Sequence, residues 1–407
     1  MQNKLWTRDF TILTVGSAVS ILGNSIAGFA TSLLVLDYTN STFLYTLYVV
    51  AFSLPFILMP LAAGPILDRF RRKTAIYSLD YLSAVLYIGI YLLLKRGYFN
   101  YGVFLALSVF EGCISSVYQL AYDSFYPNLV SEGNFSKAYS ISSMLYPLSA
   151  LMTPVAAWIY GKVGIEPLFL ANAACFFVAA CFEVSIKTEE THVSAGDDGP
   201  TGFRRFAEDF VGGMKYLKAE PGLLCIAVYF LISGFCGAME LMALPYFRSR
   251  ANLGVQLYSY VMLFAVLGRF IGGLVHYKFK YPVDKKFAIA LFVYITLSIL
   301  EGGVLFMPVV VMMLLMFTSG LLGVTSYNIR ISATQSYIPD SHRARFNGIF
   351  AVITTLGSVT GELLSGAMAE VISPRYVAAI FGVINFLGVS VMIFGRAHVK
   401  KIYNRDV

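Results

Sequence analysis

Residues 42–73 read TFLYTLYVVAFSLPFILMPLAAGPILDRFRRK. From Thr42 to Leu67 no side chain is charged; from Asp68 to Lys73 five of six are. An α-helix rises about 1.5 Å per residue, so about 20 apolar residues cross the hydrocarbon layer of a bilayer. The run is long enough to cross, and the cations that end it mark a cytoplasmic loop.

Further runs of this kind lie near 10–36, 74–94, 101–123, 138–161 and 166–186. After a polar interval, six more lie near 222–247, 255–276, 286–305, 308–332, 346–370 and 375–396. The expected fold is an all-α integral membrane protein. It has twelve transmembrane helices in two pseudo-symmetric six-helix bundles, 1–186 and 221–407, joined by a linker over 187–220. Composition agrees: 57% of the 407 residues are hydrophobic and 13% are charged. Soluble domains carry roughly 25% charge, so lipid solvates most of this surface. The net charge of +7 reflects loop cations that orient the chain, and no nucleic-acid partner is expected. Of the 30 Lys and Arg, 22 fall on one side of this arrangement and 6 on the other. Both termini and the linker are therefore expected in the cytoplasm. The first run is of span length and reads as a retained helix rather than a cleaved leader.

The linker opens with KTEETHVSAGDDGPTG, polar and turn-rich. Beyond it Phe203, Phe206, Phe210, Met214 and Leu217 recur at helical spacing opposite Arg204, Arg205, Glu208 and Lys218. That pattern predicts an amphipathic helix on the membrane surface; a solvated linker helix is the alternative. Small residues recur on every third span. Examples are Ala62, Ala63 and Gly64; Ser149, Ala156 and Ala157; Gly268 and Gly272; and Gly357, Gly361 and Ser365. Small residues let helices approach closely in lipid, and these spans are expected to form the seam between the halves.

The five cysteines show no CxxC spacing and read as small buried hydrophobes. The four histidines are far apart, and neither HExxH nor GxxxxGK[ST] occurs. No cofactor, metal site, ATP site or enzymatic activity is expected.

The stretch GPILDRFRRK resembles the loop signature G-x-L-A-D-[RK]-x-G-[RK]-[RK] of the major facilitator superfamily. Gly64, Asp68, Arg69, Arg72 and Lys73 match; Arg71 replaces the usual glycine. Asp80 in the third span, the segment Tyr122–Gly161, FRRFAEDFVGGMKYLK and IPDSHRARFNGIF are similar to the macrolide and siderophore exporter branch. The resemblance implies a two-lobed bundle whose central cavity opens alternately to each side. It also implies proton antiport, a small-molecule substrate, residence in the bacterial cytoplasmic membrane and action as a monomer. Gly64, Asp68, Arg69, Arg72 and Lys73, with Asp123, would form a cytoplasmic gate, Asp68 accepting charge-assisted hydrogen bonds.

Ionisable residues inside spans are functional candidates by default. Glu111 lies mid-span in the fourth run, Glu240 in the seventh and Arg330, near Asn328, in the tenth. Glu362 lies in the eleventh, while Asp80, Asp123, Glu183 and Arg269 sit nearer span ends, where snorkelling is easier. By the resemblance, spans one, four, seven and ten line the cavity, so Asn24, Glu111, Glu240, Asn328 and Arg330 are the expected substrate- or proton-binding residues. Glu111 is the expected main site; an internal pair with Arg330 is the alternative. Asn24 stands where many members carry an acid, and Glu111 near where many carry an arginine. Import, lipid or metabolite transport, and a non-transporting receptor or scaffold remain open beside export.

Overall fold

The computed structural model describes residues 5–59, 71–131, 151–188, 202–250, 252–278 and 281–404, with isolated positions between 138 and 149. Every regular element among them is helical. They are α1 (Arg8–Thr39), α2 (Thr42–Ser53, continuing past a turn to Met59), α3 (Arg72–Lys95) and α4 (Tyr101–Phe125). Next come α5 (Met152–Val163), α6 (Glu166–Val184), α7 (Gly202–Ala219) and α8 (Pro221–Arg248, interrupted at Gly237 and Met242). The rest are α9 (Gly254–Lys278), α10 (Lys286–Gly303), α11 (Val309–Tyr337), α12 (Asp340–Ala369), α13 (Pro374–Phe394) and α14 (Arg396–Tyr403).

Among the described residues, eleven helices are long and apolar enough to cross a membrane. The remaining expected span, 138–161, lies partly outside the described residues; its described part is α5. Large apolar side chains point outward on many spans: Phe292 is 66% exposed, Val310 70% and Leu387 62%. A water-soluble fold would bury such residues, whereas hydrocarbon solvates them. The chain is a multi-pass membrane protein.

Local chemistry sets the helix ends. Thr7 caps α1 by accepting from the Phe10 amide at 3.3 Å, and Asn40 ends it in the left-handed region at φ 51°. Asn100 caps α4 in the same way, accepting from Val103 at 3.2 Å. Asp9 accepts from the Lys187 and Thr188 amides and the Thr188 hydroxyl at 2.7–3.0 Å, fastening the start of α1 to the chain beyond α6.

The chain forms two compact units. One contains Met1–Asn40 and Tyr48–Arg205, the other Ser41–Leu47 and Phe206–Val407. The short Ser41–Leu47 piece joins the second unit because Glu370 accepts from the Ser41 hydroxyl at 2.7 Å and the Phe43 amide at 2.8 Å. In the first unit, Phe10, Leu13, Ile76, Phe125 and Tyr126 pack together. In the second, Tyr229, Tyr294, Ile329, Phe346 and Tyr403 centre one cluster.

Glycines expected at a seam between halves pack inside the second unit instead. Gly268 and Gly272 of α9 face the α11 backbone at Phe317 and Leu321, while Gly320 of α11 faces Ala265 and Arg269. Gly357 and Gly361 of α12 face the α8 backbone at Leu231 and Phe235. Removing Cβ lets neighbouring helices touch backbone to backbone, and here the neighbours are in the same unit. Helix α7 exists as the linker pattern requires, but protein covers part of its apolar face. Leu217 and Met214 pack with Phe346 and Ile349, and Gly213 lies against Arg345 and Ile349. The side chains of Phe203, Phe206 and Phe210 lie outside the described residues.

Candidate functional site

Glu111 sits on the inward face of α4 and is 5% exposed. Gly112 beside it allows close approach of α2, since its missing Cβ would meet the Phe52 carbonyl and Pro55. The hydroxyls of Tyr87 on α3 and Ser115 on α4 face the carboxyl, and the charge of Glu111 is felt at Tyr48 on α2. Neither carboxyl oxygen completes a hydrogen bond among the described residues. A buried acid ringed by hydroxyls and lacking a bonded partner can take a proton or a cationic group from a ligand.

Further along the same unit lies a second acidic centre, whose two members the sequence places separately near span ends. Asp80 of α3 and Glu183 of α6 are each 1% exposed. Both therefore lie deep in the unit, rather than snorkelling from span ends. Their carboxyls face one another within hydrogen-bonding reach. Ser20 donates to Asp80 Oδ2 at 2.8 Å, and the Tyr118 hydroxyl donates to Glu183 Oε1 at 3.3 Å. Ser17 and Tyr118 share a hydrogen bond of 3.1 Å.

Gly64, Asp68 and Arg69 of the expected gate lie outside the described residues. Arg72 and Lys73, at the start of α3, donate to the carbonyls of Ser124 at 3.0 Å and Thr188 at 3.5 Å. Asp123 precedes Ser124 on an exposed face and accepts from Gln119 at 2.8 Å. Arg72 and Asp123 are thus neighbours along the end of α4. Asn24 is half-buried on α1.

In the second unit Arg330 stands among three rings. Its guanidinium lies 4.9 Å from the Phe230 ring centre, 4.7 Å from Phe350 and 5.4 Å from Tyr327. Aromatic faces attract cations electrostatically, so this cage orients the guanidinium without neutralising it. Asn328 is half-buried on the same helix. Glu240 lies elsewhere, 3.2 Å from Arg269 Nη2 in a half-exposed ion pair. That pair borders a small pocket among α8, α9, α10 and α11, lined by Met239, Met262, Met312 and Met316. Glu301, at the end of α10, also lines it and accepts from Ser319 at 2.7 Å. Sequence reading missed Glu301 because it closes an apolar run beside Gly302 and Gly303, as an interfacial residue would. Among the described residues no group of three or more His, Cys, Asp or Glu could hold a metal ion.

The sequence model of the Major Facilitator Superfamily matches residues 13–333. The uncharacterized MFS-type transporter YfiS of Bacillus subtilis (strain 168) is 22% identical over 343 residues, 80% of this chain and 78% of that protein. The uncharacterized MFS-type transporter YkuC of the same organism is 23% identical over 260 residues, 62% of this chain. The chain spans 59% of the length of YkuC. Three solved transporter structures share the fold. The nucleoside transporter NupG superposes with a TM-score of 0.66 at 13% identity, covering 96% of this chain and 99% of that one. A bacterial homologue of the iron transporter ferroportin, in an inward-facing state, gives 0.67 at 13% over 96% and 99%. A bacterial homologue of the lysosomal transporter Spinster gives 0.65 at 13% over 98% of each chain.

Proposed function

Because this chain belongs to the Major Facilitator Superfamily, we propose that it is a secondary active exporter of small amphipathic molecules, working by proton antiport across the bacterial cytoplasmic membrane. The observation that carries this reading is Glu111, buried at mid-helix among Tyr87, Ser115 and apolar walls with both oxygens unbonded. A carboxyl in such surroundings binds a proton or an organic cation, one at the expense of the other, and that exclusion is the core of antiport. The Arg330 cage and the half-buried Asn24 and Asn328 add polar groups on the spans the family uses for substrate. Residues 1–186 and 221–407 act as the two moving halves around the linker, both termini lying in the cytoplasm. The Gly64–Lys73 loop with Asp123 closes the cytoplasmic side. The bond from Arg72 to Ser124, one residue from Asp123, supports that role.

The cargo class follows the exporter branch that the loop and linker motifs resemble, macrolide-like compounds or siderophores. A susceptibility panel of drugs and siderophores in an efflux-deficient bacterial host tests it. Cells expressing the wild type should gain resistance to at least one amphipathic compound, and cells expressing Glu111→Gln should not. Resistance unchanged by Glu111→Gln would remove Glu111 from the mechanism. Accumulation of the compound by expressing cells would indicate import instead.

A further inference from the structure

Glu111 is not the deepest acidic feature of the first unit. Asp80 and Glu183 meet from α3 and α6 where α1 passes between hydroxyls, each carboxyl 1% exposed. Gly16 of α1 makes room for this meeting: a Cβ there would stand 3.1 Å from both Glu183 Cγ and Oε1. Among the described residues no Lys, Arg or His pairs with either acid. The groups facing the pair are Ser17 and Ser20 from α1, Tyr118 from α4 with Tyr122 a turn beyond, and Glu111 further along α4. The basic residues at the start of α3, Arg72 and Lys73, lie about two helical turns from Asp80 and donate to the main-chain carbonyls of Ser124 and Thr188.

Two ionised carboxyls in contact repel, and burial denies them the water that would screen the repulsion. Ionised carboxyls also only accept hydrogen bonds, yet Glu183 Oε2 is buried with no donor among the described residues. A proton held between the acids removes one charge and supplies the donor. We propose that Asp80 and Glu183 form a proton-sharing carboxyl pair, a second proton site in the first unit that is distinct from Glu111. One proton binds between the two carboxylates, leaving a carboxyl hydrogen-bonded to a carboxylate, and it leaves to water when the helices part around Ser17 and Tyr118. That the pair holds a proton stands by itself; that its release drives cargo movement rests on the antiport proposed above.

Infrared spectroscopy of the full-length protein in lipid nanodiscs tests the occupancy. At neutral pH the wild type should show a protonated-carboxyl C=O component that shifts in D₂O. Asp80→Asn and Glu183→Gln should each abolish that same component, and Glu111→Gln should leave it. Persistence of the component in both variants, or absence of any component that depends on them, overturns the proposal. If neither variant folds, separate carboxyl-¹³C aspartate and carboxyl-¹³C glutamate labelling of the Glu111→Gln protein decides: a component that moves with either label supports the pair, and one that moves with neither overturns it. Flux in everted vesicles separates the two readings. Loss of gradient dependence in Asp80→Asn supports a coupling role. Flux that ignores the gradient in the wild type itself defeats antiport, while the infrared result still decides the pair.

Discussion

Gly268→Ala probes the contact on which the second unit is built. At this position α9 and α11 touch through their backbones. An added Cβ would stand 2.8 Å from the Phe317 carbonyl carbon and 3.1 Å from the Leu321 nitrogen, and closer still to the Phe317 oxygen. Carbon contacts become comfortable near ~3.5 Å, so the helices must part by about 0.7 Å or more. The obstacle is main chain on both sides, which cannot rotate away as a side chain would. Gly272 and Gly320 make matching approaches on the same crossing, with Leu321 Cα 3.1 Å from a Cβ at 272. Separation therefore loosens the whole crossing. Overpacking of this sort costs about 1–3 kcal/mol. Gly273→Ala is the control, because a Cβ there meets nothing within 4 Å. Alanine is the better helix former by up to about 1 kcal/mol, so the control should match or exceed the wild type. The assay is the fraction of monodisperse protein left after heating in detergent, read by size-exclusion chromatography. Gly268→Ala should lose monodispersity several degrees below wild type and below Gly273→Ala. A Gly268→Ala protein as heat-resistant as the control would refute the close-contact account of this crossing.

Phe350→Leu removes one wall of the Arg330 cage. Loss of a cation–π contact worth about 0.5–2 kcal/mol should lower thermal stability measurably, and Phe230→Leu should do the same. Ser319→Ala takes from the half-buried Glu301 its 2.7 Å donor, at a cost of about 1 kcal/mol; Ser319→Thr should restore most of it in the same heating assay. Asp9→Ala deletes three hydrogen bonds to Lys187 and Thr188. Limited proteolysis near residue 188 should then become faster, with the spans themselves intact. Glu111→Gln should abolish proton-driven transport, because the amide neither binds nor releases a proton.

Eleven spans were legible because crossing hydrocarbon imposes a length and a composition that a single stretch of sequence must satisfy alone. Glu111 was legible for the same reason: one carboxyl amid apolar neighbours has no local explanation. Asp80 and Glu183 were not, because their meaning is mutual. They lie far apart in sequence, and each by itself resembles a residue that reaches for a membrane interface. Packing of α1 through Gly16, Ser17 and Ser20 brings them together, and no sequence period encodes that. Glu240, read from the sequence without a partner, has one in Arg269, read as a snorkelling cation. At Gly268, Gly272, Gly357 and Gly361 the small-residue pattern identified close helix contacts, but with neighbours in the same unit rather than at a seam. Spacing reports which face of a helix is smooth, while topology decides which neighbour lies against it.

Transport in everted membrane vesicles decides whether the protein exchanges protons for its cargo. Vesicles carrying the protein are energised with an inward-acid proton gradient and given a fluorescent amphipathic cation such as ethidium, alongside each compound to which the panel shows resistance. The account predicts accumulation that collapses when a protonophore is added and is absent with Glu111→Gln. Accumulation of the panel's compounds no greater than in vesicles lacking the protein, or equal with and without the gradient, would contradict it.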